Sequence, residues 1–146
     1  MKIIGAILIF LVSIIVSSNY EKSKKQEIVD LKAMVSLLQF IKNQIEYFSL
    51  PISEILAKYS TDNECVKGFV DTGYLSFSDK NIQDELIKCF TQLGKGFKEE
   101  QISLLNYNIE LTNKTIKSNE ESNPQKIKVY RAMSLFISSC VVILLA

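Results

Sequence analysis

Two uninterrupted apolar runs bracket a middle stretch in which apolar residues recur every three or four positions. The first run covers residues 3–18 and opens IIGAILIF; the second covers 132–146 and reads AMSLFISSCVVILLA; neither contains a charge. As helices they rise about 24 and 22 Å, against about 30 Å for the hydrocarbon core of a bilayer, so each spans with its flanks at the headgroups. In the middle stretch, Ile28, Leu31, Val35, Leu38, Ile41, Ile45 and Phe48 form one stripe of a helix over 26–48, widened by Met34, Leu37 and Phe40. A stripe this wide predicts packing into a bundle.

Breaks follow at regular points. Ser49-Leu50-Pro51 ends the first helix, because proline disfavours helical geometry in the residue before it and suits the first turn of the next. Ile52, Ile55, Leu56 and Tyr59 give a short second helix. Thr61 and Glu64 have the spacing of a capping box that opens a third, with Cys65, Val66, Phe69 and Val70 inward and fraying near Gly73. Ser78-Asp79 caps a fourth, striped by Ile82, Leu86, Phe90 and Leu93 and stopped by Gly94-Lys95-Gly96. Ile102, Leu105, Ile109, Thr112 and Ile116 continue the pattern in a helix expected to run antiparallel to its predecessor. Asn123-Pro124 is expected to cap and open a new helix into the membrane. Only residues 73–77 alternate as a strand would. The prediction is therefore all-α: an apolar helix over 1–18, a helical bundle over 19–123, and a juxtamembrane and transmembrane helix over 124–146.

Composition narrows the chemistry. Seventeen basic residues against sixteen acidic ones leave no field that would gather nucleic acid. There is no histidine, which excludes a Ser-His-Asp or Cys-His mechanism and removes the commonest metal ligand. The three cysteines, Cys65, Cys89 and Cys140, are odd in number and widely spaced. This fits reduced thiols, with Cys65 and Cys89 in the core and no zinc site. No cofactor or metal is expected. Gly94-Lys95-Gly96 lacks the third glycine and the preceding strand of a phosphate-binding loop, so it is read as a turn. Adjacent carboxylates, Glu99 with Glu100 and Glu120 with Glu121, suggest a paired-carboxylate hydrolase, but neighbours on a helix point about 100 degrees apart and share no site.

Charge also orients the chain. The first run alone reads equally as a span or as a cleaved signal peptide, since Lys2 and Val16-Ser17-Ser18 suit the latter. Lys22, Lys24 and Lys25 follow the first run, and Lys126, Lys128 and Arg131 precede the second, so both clusters face the middle stretch. Lysine and arginine accumulate on the cytoplasmic side of membrane spans. The expectation is two spans, a cytoplasmic bundle and both ends near the far surface. Ser134, Ser138 and Ser139 in the second run either bond back to their own helix or face a neighbour.

The segment Gln44-Ile45-Glu46-Tyr47-Phe48-Ser49-Leu50-Pro51-Ile52-Ser53-Glu54-Ile55-Leu56, the turn Leu93-Gly94-Lys95-Gly96 followed by Glu100-Gln101, and Lys128-Val129-Tyr130-Arg131 before a short apolar run together resemble the stage III sporulation protein AB family. The likeness extends over nearly the whole chain, although the aspartate that the family carries shortly after the turn is replaced by Phe97 or Lys98. It implies a subunit of the mother-cell complex in the membrane around the forespore, with a cytoplasmic domain similar to the F-type platform protein of type II secretion. It also implies a partner, the sporulation ATPase named stage III sporulation protein AA, beside the other membrane subunits of the sporulation channel. Glu46, Tyr47, Pro51, Glu100 and Gln101 match the family pattern at helix ends and are the candidate partner-binding residues; Gly94 and Gly96 are the turn. Pro51 and Gly94 also serve plain chain reversal, and Tyr47 also suits core packing with its hydroxyl at the rim. The reading is a non-enzymatic platform or adaptor. A two-span sensor or scaffold with no link to sporulation is the alternative, and it needs no ordered domain between the spans.

Overall fold

Between Gly5 and Pro51 the chain has neither glycine nor proline, and nothing interrupts a helix there. The computed structural model, which describes residues 2–145, accordingly begins with one long helix, α1 (Lys2–Phe48). Three short helices follow, α2 (Ile52–Lys58), α3 (Glu64–Thr72) and α4 (Lys80–Gln92), and a second long one, α5 (Lys98–Leu145), ends the described chain. The all-α expectation is met: no strand occurs among the described residues. The contacts divide the chain into two units, Met1–Gln26 with Asn119–Ala146, and Glu27–Ser118. Each long helix contributes to both.

In the first unit, α1 and α5 run antiparallel. Ser13 and Ser134 share a hydroxyl hydrogen bond, the rings of Tyr20 and Tyr130 stack with centroids 4.1 Å apart, and Arg131 Nη2 donates to Glu21 Oε2 at 2.6 Å. Ser13, Ser17 and Ser138 are each at most 7% exposed, so small hydroxylated residues form the seam where the helices touch. Ser138 and Ser139 bond back to the carbonyls of Ser134 and Leu135, whereas Ser134 faces its neighbour. Both readings of the serines thus hold, at different positions. The apolar windows of α1 and α5 are only 11% and 6% buried. A core helix of a soluble bundle would be largely covered, so these windows are suited to lipid.

Two expected breaks are missing. Residues 19–25 stay helical, since their polar side chains include no breaker and Glu21 accepts from Lys25 Nζ at 2.7 Å, an i,i+4 pair. Asn123-Pro124 opens no helix, for Pro124 lies inside α5. A proline in a helix interior removes one hydrogen bond and costs about 3 kcal/mol or more. Here Asn123 is 7% exposed and its amide reaches Lys24 O at 3.5 Å, so the side chain expected to cap is turned to α1 instead. Packing overrides the local signal.

The second unit is the bundle. Leu31, Met34, Leu37, Leu38 and Ile41 of α1 are fully buried, with Ile55, Val66, Leu86 and Leu105 from the other helices. Burying each such side chain contributes about 1.5–3 kcal/mol. Phe69 and Phe90 meet edge to face at 4.6 Å. Helix α3 opens at Asn63, whose side chain accepts from the Val66 amide at 3.0 Å, and not at Thr61. Asparagine is the better cap, and Thr61 Oγ1 instead accepts from the Asn63 amide. The helix ends cleanly at Gly73, φ 73°, whose amide donates to Phe69 O. Asp79 caps α4 as expected, accepting from the amides of Asn81 and Ile82. Residues 73–77 bury Leu75 and Phe77 in alternation but have no partner strand; side chains hold them, Gln83 taking the Phe77 amide and Glu27 the Ser78 amide.

Two core positions yield expected results. Burial pushes the Cys89 thiol up from 9.0 to about 12. A thiol raised on folding contributes its stability below the unfolded value and loses it as pH climbs towards the folded one. Midpoint denaturant concentrations should therefore fall between pH 9 and 12 more for the native chain than for Cys89→Ala, and an equal fall in both would show that the thiol is not desolvated. Asn108, 1% exposed, donates to Leu104 O but its Oδ1 accepts nothing. A buried orphan acceptor costs about 1–3 kcal/mol. Asn108→Leu should raise the melting midpoint by about 1 kcal/mol in stability, and a lowered midpoint would contradict the orphan's assignment.

Candidate functional site

The five candidate partner residues come together at one end of the second unit. Lys98 Nζ donates to Glu46 O at 2.6 Å and so fixes the start of α5 at the end of α1. Gly94, φ 83°, has room for a Cβ only 3.6 Å from Ile52 Cγ1, which brings the α4–α5 turn against the start of α2. Two connections, α1–α2 and α4–α5, therefore meet there, and each is built by local chemistry. Ser49 takes a left-handed φ of 49° as the chain leaves α1. Pro51 begins α2 at φ −66°, its carbonyl accepting from the amides of Glu54 and Ile55.

Within the turn, Gln101 bridges both strands of chain: its Oε1 accepts from the Gly94 amide at 3.1 Å and its Nε2 donates to Gly96 O at 3.0 Å. Glu100 Oε2 accepts from the Phe97 amide at 3.4 Å, a weak N-terminal cap of α5. A Cβ on Gly96 would lie 2.8 Å from that same carboxylate oxygen, so the glycine makes room for the cap. Glu100 and Gln101 thus hold the turn in shape. Glu46 and Pro51 are exposed, and Tyr47 is 74% exposed, which removes the core-packing alternative for the tyrosine.

The structure adds two residues, one of which, Phe48, the pattern had placed differently. Phe48 belongs by spacing to the buried stripe of α1, yet it is 66% exposed; Phe97, beside the turn, is 76% exposed. The stripe runs out because α1 extends one turn past Ile45, beyond the last core neighbour. Periodicity carries no signal for that. The result is three large exposed aromatic residues at this end of the second unit, Tyr47 and Phe48 at the close of α1 and Phe97 at the turn before α5, with exposed Glu46 next to Tyr47 in the chain. Aromatic residues are enriched at interface centres, where they act as anchors.

Other chemistry is sparse. Glu99, Glu120 and Glu121 are exposed, and Glu100 is engaged with the Phe97 amide, so neither pair of adjacent carboxylates converges on a common point. Among the described residues no three of Cys, Asp and Glu come together as a metal site. Cys65, Cys89 and Cys140 are all free thiols.

Compared with known proteins, residues 2–84 match the family model described as stage III sporulation protein AB. The match takes in α1 to α3 and the first turn of α4, with Glu46, Tyr47, Phe48 and Pro51 inside it. The turn at 93–101 and the segment 128–131, which also carry the likeness, lie outside. No curated protein and no solved structure matches the chain.

Proposed function

The chain belongs to the stage III sporulation protein AB family, and we propose that it serves sporulation as a non-enzymatic membrane platform of the mother-cell channel complex, onto which a cytoplasmic ATPase docks. Membership carries the role in sporulation. The platform reading is supported by one observation above others: Tyr47, Phe48 and Phe97, exposed at one end of the second unit, offer a partner protein apolar area that the chain itself leaves uncovered. Glu46 and Pro51 extend this area, and Glu100 and Gln101 keep it in register by shaping the turn.

The partner in this reading is the ATPase stage III sporulation protein AA, acting beside the other membrane subunits of the channel. The location is the mother-cell membrane around the forespore, with residues 27–118 in the cytoplasm. The six cations at the bases of the two apolar runs support that orientation, because basic residues stay on the cytoplasmic side. A platform needs no active site, and a chain without histidine offers little for general acid–base chemistry.

The test is co-purification. The full chain, extracted in mild detergent from sporulating cells, should retain the ATPase, and Tyr47→Ala should lower the retained amount several-fold at unchanged helical content. Equal retention by both forms would remove these residues from the account; no retention by either would remove the ATPase.

A further inference from the structure

The stacked rings of Tyr20 and Tyr130 place α1 and α5 at one level, since tyrosines settle at the boundary between hydrocarbon and headgroups. Around that level lie Lys22, Lys24 and Lys25 on α1 and Lys126, Lys128 and Arg131 on α5. At 1.5 Å per residue the first three occupy about 4.5 Å of helix and the second three about 7.5 Å. Measured from the stacked rings, the five lysines lie about 3–7.5 Å towards the bundle and Arg131 about 1.5 Å towards the apolar run, so the lysines fit one headgroup layer, roughly 5–8 Å deep, and the long side chain of Arg131 reaches it. We propose that these six cations form a collar that binds the phosphate groups of anionic phospholipids around the base of the two spans.

Three observations select lipid. Residues of a helix turn by about 100 degrees per position, so the lysines at 22, 24 and 25 point around α1 and do not share one face. A protein partner covers a face; lipids surround a helix. The collar holds a single carboxylate, Glu21, already shared by Lys25 at 2.7 Å and Arg131 at 2.6 Å. Hydrogen bonding and charge from Lys25 first, and then Arg131, hold that carboxyl below its usual range, so it stays ionised and occupied. Lys22, Lys126 and Lys128 are exposed and pair with no carboxylate among the described residues. The nearest acid along α5, Glu121, is about 8 Å further up the helix from Lys126. Arg131, 57% exposed, keeps further donors for a phosphate oxygen.

The experiment reconstitutes the full chain in phosphatidylcholine vesicles containing a trace of spin-labelled phosphatidylglycerol or spin-labelled phosphatidylcholine, and reads the motionally restricted fraction by electron paramagnetic resonance. At low salt the anionic lipid should associate on the order of five-fold more strongly than the neutral one, and the preference should fall towards one in 1 M salt. Replacing Lys22, Lys126 and Lys128 by glutamine should abolish most of the preference, while replacement by arginine should keep it. Equal fractions for the two lipids, or a preference indifferent to the glutamine variant, overturn the proposal. A preference erased by inorganic phosphate but not by chloride at equal ionic strength also overturns it, by assigning the site to the free anion. No restricted fraction for either lipid overturns it together with the membrane reading.

Discussion

Replacing Phe48 and Phe97 together by alanine should reduce ATPase capture by far more than ten-fold while leaving the melting curve in place. Each ring is mostly exposed, at 66% and 76%, so truncation removes little that stabilises the bundle; surface substitutions away from special features stay within about 0.5 kcal/mol. At an interface the same rings change role. A central aromatic anchor is worth about 2 kcal/mol or more on truncation, which is about thirty-fold in affinity. The two effects separate cleanly by experiment, with affinity read by titrating the ATPase onto the full chain and stability read by circular dichroism. Capture unchanged within two-fold would show that the exposed aromatics are not the docking face. Loss of capture with a lowered melting midpoint would show that they act through the fold.

Leu38→Ala should destabilise the bundle by about 2–5 kcal/mol, a large part of the about 5–15 kcal/mol that holds a domain of ordinary stability. Leu38 is fully buried beside Met34, Leu37 and Ile41 on α1. The midpoint of chemical denaturation of the full chain in detergent should drop sharply, whereas Leu11→Ala, at a position 51% exposed on the apolar run of α1, should leave it nearly unmoved. The contrast also decides between platform and sensor. A two-span sensor without an ordered middle would show no cooperative transition for Leu38 to weaken.

Much of this was legible in the sequence, and the misses have physical causes. The stripe from Leu31 to Ile45 was readable because burial on one face repeats every three or four residues, and Asp79 and Gly94 were readable because caps and turns need those residue types. Thr61 yielded to a better local cap, Asn63, whereas Phe48 and Pro124 were misread because the extent of packing overrode a local rule. Asn63 takes the cap and also donates to Asp30 Oδ1 at 2.9 Å, a tie across thirty-three residues that no local window contains. Pro124 stays helical because α5 lies along α1, and Phe48 is exposed because the core ends before the helix does. The seam of Ser13 and Ser17 on α1 went unnoticed since serine in an apolar run has no period of its own until its partner helix is known. At the candidate site, the pattern indicated Glu46, Tyr47 and Pro51 at helix ends, and it named Glu100 and Gln101 without showing that their side chains bind the turn. The aromatic rings beside them needed three dimensions.

The central claim is that this end of the second unit meets the ATPase in the cell. A photocrosslinking amino acid at position 97, introduced into the full chain in sporulating cells, addresses it directly, because Phe97 is exposed and next to the turn. The account predicts an adduct with the sporulation ATPase, much weaker when the same group is placed at exposed Tyr74, in the α3–α4 connection that Glu27 holds at the other end of the second unit. Adducts at position 97 with other proteins only, or equal yields at both positions, would contradict it.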